Sequence, residues 1–219
     1  MSKRSKWIWA IVALFVVACA CIIAWEYNEG LSLTRFKAYR QMCPPTIYFQ
    51  PYGTFSQSEA EKLGDEMVAH LNEMFEMEVK FKVLPNRVLA DSLLNDARTR
   101  FRADKICHSL STEADCNNIC IGLTKLDIST SVHGKKDYGV LGLSQLQEKT
   151  CVVSTYRVKR MQDLWKVACH EFIHAYFDYH HCPKDDPTCI MQQAKGRPDF
   201  RNKEGSCAYC QSILSNKPF

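Results

Sequence analysis

The stretch "HEFIHAYFDYHHC", His170 to Cys182, decides how the other residues are read. It holds two histidines four apart, with a glutamate directly after the first. On a helix, positions i and i+4 lie one turn apart on the same face, so His170 and His174 can point at one ion. Glu171 is angularly offset and can reach a water bound to that ion. The donor set suits zinc, which lowers the pKa of its water to about 7. A catalytic zinc takes three protein ligands and keeps one position open, so a third ligand must come from outside the motif. His180 and His181 stand close behind it. Such a short motif recurs by chance, and the plain alternative is an amphipathic helix with two surface histidines. Leu164, Val167, Ala168, Phe172 and Tyr176 supply the apolar positions which that alternative needs. The sequence that follows weighs against it.

Cys182, Cys189, Cys207 and Cys210 come next. Cys207-Ala-Tyr-Cys210 is a CxxC knuckle, and four thiolates make a closed tetrahedral zinc site. An extracytoplasmic location would also permit two disulfides. The CxxC pair suits a shared ion better than a relaxed disulfide. Redox use is the weaker reading, because thioredoxin-like CxxC motifs open a helix near the start of a fold, and this one lies in the tail.

Together these residues resemble the archaemetzincins, a branch of the metzincin metallopeptidases, whose pattern is HExxHxxGxxHC-x4-C-x-M, then x17 and CxxC. His170, Glu171 and His174 match the helix. His181-Cys182 matches HC, Cys189-Ile-Met191 matches CxM, and Cys207 to Cys210 matches CxxC. "CIGLTKLDI" (Cys120 to Ile128) and "VVSTYRV" (Val152 to Val158) resemble the family's strands before the site helix. The likeness covers Thr46 to Cys210 and is strongest after Ile119.

Two departures stand out. The spacing is Cys182-x6-Cys189, and fifteen residues separate Met191 from Cys207. The two changes cancel, so one four-cysteine site is retained with its inner loop redrawn. The family glycine is also missing. Strict spacing puts it at Phe177, and an aromatic residue resists positive φ. Asp178 tolerates that conformation better. Counting from Asp178 makes His181 the third ligand, by one inserted residue; strict counting from His174 makes it His180.

The resemblance implies a zinc metallopeptidase with a twisted mixed sheet, an active-site helix and a cysteine-rich, zinc-binding C-terminal tail. It implies two zinc ions, a catalytic one on His170, His174 and His181 and a structural one on Cys182, Cys189, Cys207 and Cys210. Glu171 would be the general base and Met191 an apolar floor under the metal. "GVLGLSQL", Gly139 to Leu146, would edge the cleft, where an extended peptide can add as a strand. A zinc-stabilised binding module without catalysis is the alternative, motivated by the displaced glycine.

Element signals agree with an α/β class. Thr46–Tyr52 reads as a strand. Ser58 with Glu61 forms a capping box, opening a helix to about Phe75. Val79–Val83 alternates as a half-buried strand. Ser92–Leu110 reads as helical. Ile119–Ile128 is a strand running into a loop, and 133–136 is a turn. Gly139–Gln147 and Cys151–Val158 are two further strands, and Asp163 is a candidate cap for the site helix. A bridge is expected among Cys107, Cys116 and Cys120.

Ahead of the domain, Trp7–Trp25 is nineteen uncharged residues, spanning roughly 28 Å as a helix, close to a bilayer core. Basic residues precede it and tryptophans flank it, which puts the N-terminus in the cytoplasm and the domain outside. Residues 1–26 are therefore expected to be a membrane anchor (a transmembrane signal-anchor, or a lipoprotein signal with Cys19). Residues 27–44 form a spacer, and 45–219 one domain. Of the net charge of +4, Lys3, Arg4 and Lys6 supply three, so nothing argues for nucleic acid. The expected partners are a peptide or protein substrate and the membrane, with the protein a monomer.

Overall fold

The computed structural model describes Cys21, Ala24 and residues 45–114, 118–132, 134–146, 148–193 and 200–215. The chain divides into two units, Met1–Met42 and Cys43–Lys217. Within the first, Cys21 and Ala24 are helical and exposed. The remainder of the expected anchor and the spacer lie outside the described residues. Among the described residues no helix is long and apolar enough to cross a membrane.

The second unit is a mixed α/β domain. Strands β1 (Thr46–Pro51), β2 (Lys80–Val83), β4 (Asn118–Thr124), β7 (Gly142–Gln145) and β8 (Thr150–Ser154) form one sheet in the order β2-β1-β4-β8-β7. The first four of these positions are parallel, and β7 closes the edge antiparallel to β8. Strands β3 (Phe101–Arg102), β5 (Ile128–Val132) and β6 (Lys135–Val140) make a small second sheet. Helices α1 (Gln57–Phe75), α2 (Ala103–Leu110), α3 (Leu164–Phe177) and α4 (Ala208–Leu214) complete it.

Period-two alternation decides which helix covers which face. Ile119, Ile121 and Leu123 of β4 join Cys151 and Val153 of β8 in a core with α1 and α3. Cys120 and Val152 point the other way, into a smaller core with Ala103, Ile106, Cys107 and Leu110 of α2. The central strands are buried on both faces and read as continuous apolar runs.

Several boundaries differ from the sequence expectation. The N-cap of α1 is Ser56, not Ser58: Ser56 Oγ accepts from the Glu59 N–H at 3.2 Å and Glu59 Oε2 accepts from the Ser56 N–H at 2.8 Å. Both serines carry a glutamate three residues on, but only Ser56 is preceded by a buried apolar residue. Phe55 and Ala60 are both buried, at the two positions of a hydrophobic staple. Only the end of Ser92–Leu110 is α-helical. Asn95 Oδ1 accepts the N–H groups of Thr99 and Arg100, and Arg98 takes φ 53°; this side-chain turn replaces the helix. The expected strand Gly139–Gln147 is broken at Leu141, where the chain leaves its pairing with β5 for its pairing with β8. The strand expected over Cys151–Val158 stops at Ser154, and a turn follows. Cys107 and Cys120 are unpaired and buried, so no bridge joins them; Cys116 lies outside the described residues.

Candidate metal centre and active site

Helix α3 carries His170, Glu171 and His174, and it is an unusually buried helix. Its only exposed or half-buried positions among 164–177 are Trp165, Lys166 and His174. Asp163 precedes it but makes no side-chain cap. Its carboxylate is buried and taken instead by Lys166 Nζ at 3.0 Å and Arg160 Nε at 3.2 Å. The helix ends where Asp178 adopts φ 47°, ψ 47°. This left-handed residue turns the chain back, a role usually given to glycine, and the turn chemistry of Asp178 predicts it.

The turn brings His181, not His180, to the other two histidines. Imidazole nitrogens of His170, His174 and His181 all lie within 4.8 Å of one another. His174 Nε2 lies 3.0 Å from His170 Nε2. His170 Nδ1 donates to the carbonyl oxygen of Ile190 at 2.8 Å, and His174 Nδ1 donates to that of Tyr179 at 2.5 Å. A carbonyl can only accept, so both Nδ1 atoms carry the proton and both Nε2 atoms present lone pairs. The two Nε2 lone pairs thus converge, and no donor among the described residues meets them. Burial and the neighbouring His174 hold His170 well below the usual imidazole range. Burial pulls His174 down to about 4, and burial with His180 lowers His181. Neutral, converging imidazoles fit a divalent cation; in a tetrahedral zinc site the nitrogens stand about 3.3 Å apart, given Zn–N of about 2.0 Å.

Glu171, the residue after His170 on α3, reaches toward the edge strand. Its Oε2 lies 2.5 Å from Ser144 Oγ on β7. A Cβ built on Gly142 would meet Glu171 Cγ at 2.7 Å and Oε1 at 2.8 Å, so a bare backbone at 142 is what admits this carboxyl. Burial pushes Glu171 up to about 7, with the Ser144 hydroxyl working against it.

The four cysteines also converge. Their sulfurs lie within 4.8 Å of one another, with Cys182–Cys207 and Cys189–Cys210 each at 3.8 Å. A disulfide has about 2.05 Å between sulfurs, whereas the edge of a tetrahedron with Zn–S of about 2.3 Å is about 3.8 Å. The donors therefore fit one ion, and the four thiols are unpaired. The Cys207 N–H points at Cys189 Sγ at 3.5 Å. Burial opposes ionisation of Cys207, but the Cys210 N–H and the adjacent thiols prevail and lower it. Lys203 is buried beside the cluster; burial lowers its pKa, and Cys189, Asp186 and Cys182 act against that shift. Met191 is fully buried in the main core, and its carbonyl accepts the Cys182 N–H at 2.8 Å.

Sequence reasoning reached the seven metal-donor candidates and Glu171, but not Ser144, Tyr179, Phe200 or Lys203. The first two sit inside the motif regions, and no pattern marked them. Phe200 and Lys203 fall in the loop between Met191 and Cys207. The ring of Phe200 meets His170 edge-on, with centroids 5.9 Å apart.

No protein-family model matches the chain, and no curated protein matches it significantly. Solved structures do. An archaemetzincin from Methanopyrus kandleri superposes with TM-score 0.66 at 20% identity, covering 79% of this chain and 94% of that one. An archaemetzincin from Archaeoglobus fulgidus gives 0.57 at 22% identity, covering 76% and 98%. A zinc-dependent peptidase from Methanocorpusculum labreanum gives 0.59 at 17%, covering 77% and 99%. At such identities the likeness is one of backbone. The domain has the archaemetzincin fold.

Proposed function

We propose that the protein is a zinc-dependent metallopeptidase of the archaemetzincin type. The observation that carries this reading is the pair of converging Nε2 lone pairs on His170 and His174, each fixed by an Nδ1–H bond to a carbonyl. His181, whose ring joins theirs, would be the third donor, and three donors would leave one position of a tetrahedral zinc open. Zinc bound there would polarise a scissile carbonyl and acidify a water.

The chain's own groups supply the rest. Glu171, near neutrality in its buried setting, accepts a proton from the attacking water and passes it to the leaving amine. Ser144 holds that carboxyl against the edge strand. Strand β7 offers main-chain groups to an extended peptide or protein substrate. Cys182, Cys189, Cys207 and Cys210 would hold a second, structural zinc, which would pin the tail.

The apolar run Trp7–Trp25 supports a membrane anchor with the domain outside the cytoplasm, and we take the protein to be a monomer. In such a compartment free thiols need protection, and Cys107, Cys120, Cys151 and Cys169 are fully buried. A coordination sphere closed by His180 and His181 together would favour the binding-module reading; the cluster has three imidazoles, which favours the enzyme.

The decisive experiment compares wild type with Glu171→Gln. Both should contain about two zinc ions per chain, and the variant should lose peptide cleavage by a factor of about 10²–10⁴. Equal cleavage by the two proteins would rule out the mechanism.

A further inference from the structure

One cavity adjoins the histidine cluster. It is about 70 Å³ and is lined by Leu141, Val158, Val167 and Phe200, with Lys159 and Arg160 at its mouth. Three observations place it beside the reacting centre. The Phe200 ring touches His170. Val167 stands one turn before Glu171 on α3. Leu141 directly precedes Gly142, on which the Glu171 side chain rests.

The chemistry of the lining is unequal. Leu141, Val158, Val167 and Phe200 are buried or half-buried, whereas Lys159 is exposed. Asp163 and Arg201 complete the lining. The one carboxylate, Asp163, is already bound by Lys166 and by Arg160 Nε. Lys159 has no ion-pair or hydrogen-bond partner among the described residues, and Arg160 uses only its Nε. Apolar walls with unspent cationic donors at the mouth match a short aliphatic stem that ends in a carboxylate. A cavity of about 70 Å³ has room for a short side chain.

We infer that this cavity is a specificity subsite for a carboxylate on the substrate residue next to the scissile bond, read by Lys159 and Arg160. The inference rests on the peptidase reading and narrows it to a substrate class: acidic peptides. The carboxylate can belong to an aspartate or glutamate side chain, or to the substrate's own C-terminus. In either case the guanidinium of Arg160 and the ammonium of Lys159 meet it, and the methylenes fill the apolar floor.

The test uses the full-length, zinc-loaded chain and peptides varied at the positions on both sides of the cut. An internal acidic series carries an amidated C-terminus, and a second series places only the free C-terminal carboxylate beside the cut. At one fixed position, Glu or Asp should be cleaved at least tenfold faster than Gln or Asn, or the free carboxylate faster than its amide. Lys159→Glu and Arg160→Gln should each reduce that preference tenfold or more, and Lys159→Glu should raise the rate on a lysine peptide. Lys159 is exposed and unpaired, so its variant reads the charge even if Arg160→Gln folds poorly. Equal cleavage of acid and amide peptides, or a preference untouched by both variants, overturns the inference.

If no peptide is cleaved, the peptidase reading fails on its own. Binding to the Glu171→Gln chain, read by fluorescence anisotropy, then decides the subsite. A labelled acidic peptide should bind tenfold more tightly than its amide; equal binding overturns it.

Discussion

The phenol oxygen of Tyr179 lies 3.4 Å from Cys210 Sγ, while the carbonyl of the same residue accepts the Nδ1–H of His174. One residue therefore touches both donor clusters. The other orienting carbonyl is that of Ile190, between Cys189 and Met191. Both histidine tautomers are thus set by backbone that the cysteine cluster holds in place. Groups that orient metal ligands matter to affinity and rate by about 10–100-fold. Tyr179→Phe deletes the hydroxyl and keeps the carbonyl. It should speed metal loss to a chelator from the cysteine site about tenfold and lower kcat with KM unchanged. With cobalt in the cysteine site, the thiolate-to-metal absorption should shift. An unmoved spectrum and rate would make the contact incidental.

Glu171 and Gly142 make a second pair whose fit can be tested. A methyl group at 142 would enter the space of the Glu171 side chain at 2.7 Å. Overpacking of this kind costs about 1–3 kcal/mol, but here the displaced group is the carboxyl proposed as the base. Gly142→Ala should therefore lower kcat far more than it lowers the unfolding midpoint. Circular dichroism melts and initial rates on one peptide check this, and Ser144→Ala should move the rate in the same direction by a smaller factor.

The capping serines show both the reach and the limit of the sequence. Ser56 and Ser58 each head an S-x-x-E, and local pattern alone cannot choose between them. The choice is made by Phe55, whose burial under the sheet fixes where the chain enters the helix. Ser56→Ala should cost about 1 kcal/mol in urea unfolding, and Ser58→Ala close to nothing. The reverse order would mean the helix starts two residues later.

The same logic separates what was legible from what was not. Parallel strands β1, β4 and β8 are apolar on both faces and stood out as runs. The two metal-donor sets were legible because their spacing is local: a helical turn, a CxxC knuckle, a histidine beside a cysteine. The break at Leu141 was not, because it is imposed from outside the segment. Arg157 packs on Gly139, where a Cβ would meet the guanidinium at 2.5 Å, and Glu171 packs on Gly142. Neither partner is near in sequence. Ser144 and Tyr179 were invisible for the same reason, since their roles exist only once β7 lies against α3 and the tail folds under it.

Proton linkage gives a further check in the chelator-treated protein. His170, His174 and His181 all titrate below their ordinary range in the fold. Below about 6.5 the unfolded chain binds protons that the native histidines refuse, so stability must fall as pH drops. For His174 the window closes near 4, where the native ring also protonates. Glu171 works in the opposite sense. Its native pKa of about 7 exceeds the ordinary carboxyl value, so the native state keeps a proton that the unfolded state releases. That contribution is present at low pH and lost as pH rises toward about 7. Urea midpoints should thus fall from pH 6.5 to 4.5 in wild type, where three histidines oppose one carboxyl, and Glu171→Gln, which removes the opposing contribution over the same window, should steepen that fall.

Removal of the ion proposed at the four cysteines should be the harsher perturbation. Helix α4 begins directly after Cys207 and has only seven residues, too few to hold as a helix by itself. It reaches the main core through Cys210 and Leu214. The chain just before it is tied by the bridge between Cys189 and Gly205. Without metal, four thiols and the buried Lys203 would have to share a small space with no counter-charge to arrange them. Cys210→Ala should release the ion, expose the tail to limited proteolysis after Met191 and, through Ile190 and Tyr179, weaken metal binding at the histidines. Cys107→Ser, a change at a buried thiol outside the cluster, should lower stability yet leave both metal occupancies intact. Metal analysis and proteolytic mapping of the two variants separate these outcomes. If the histidine site keeps its full affinity in Cys210→Ala, the two clusters are independent.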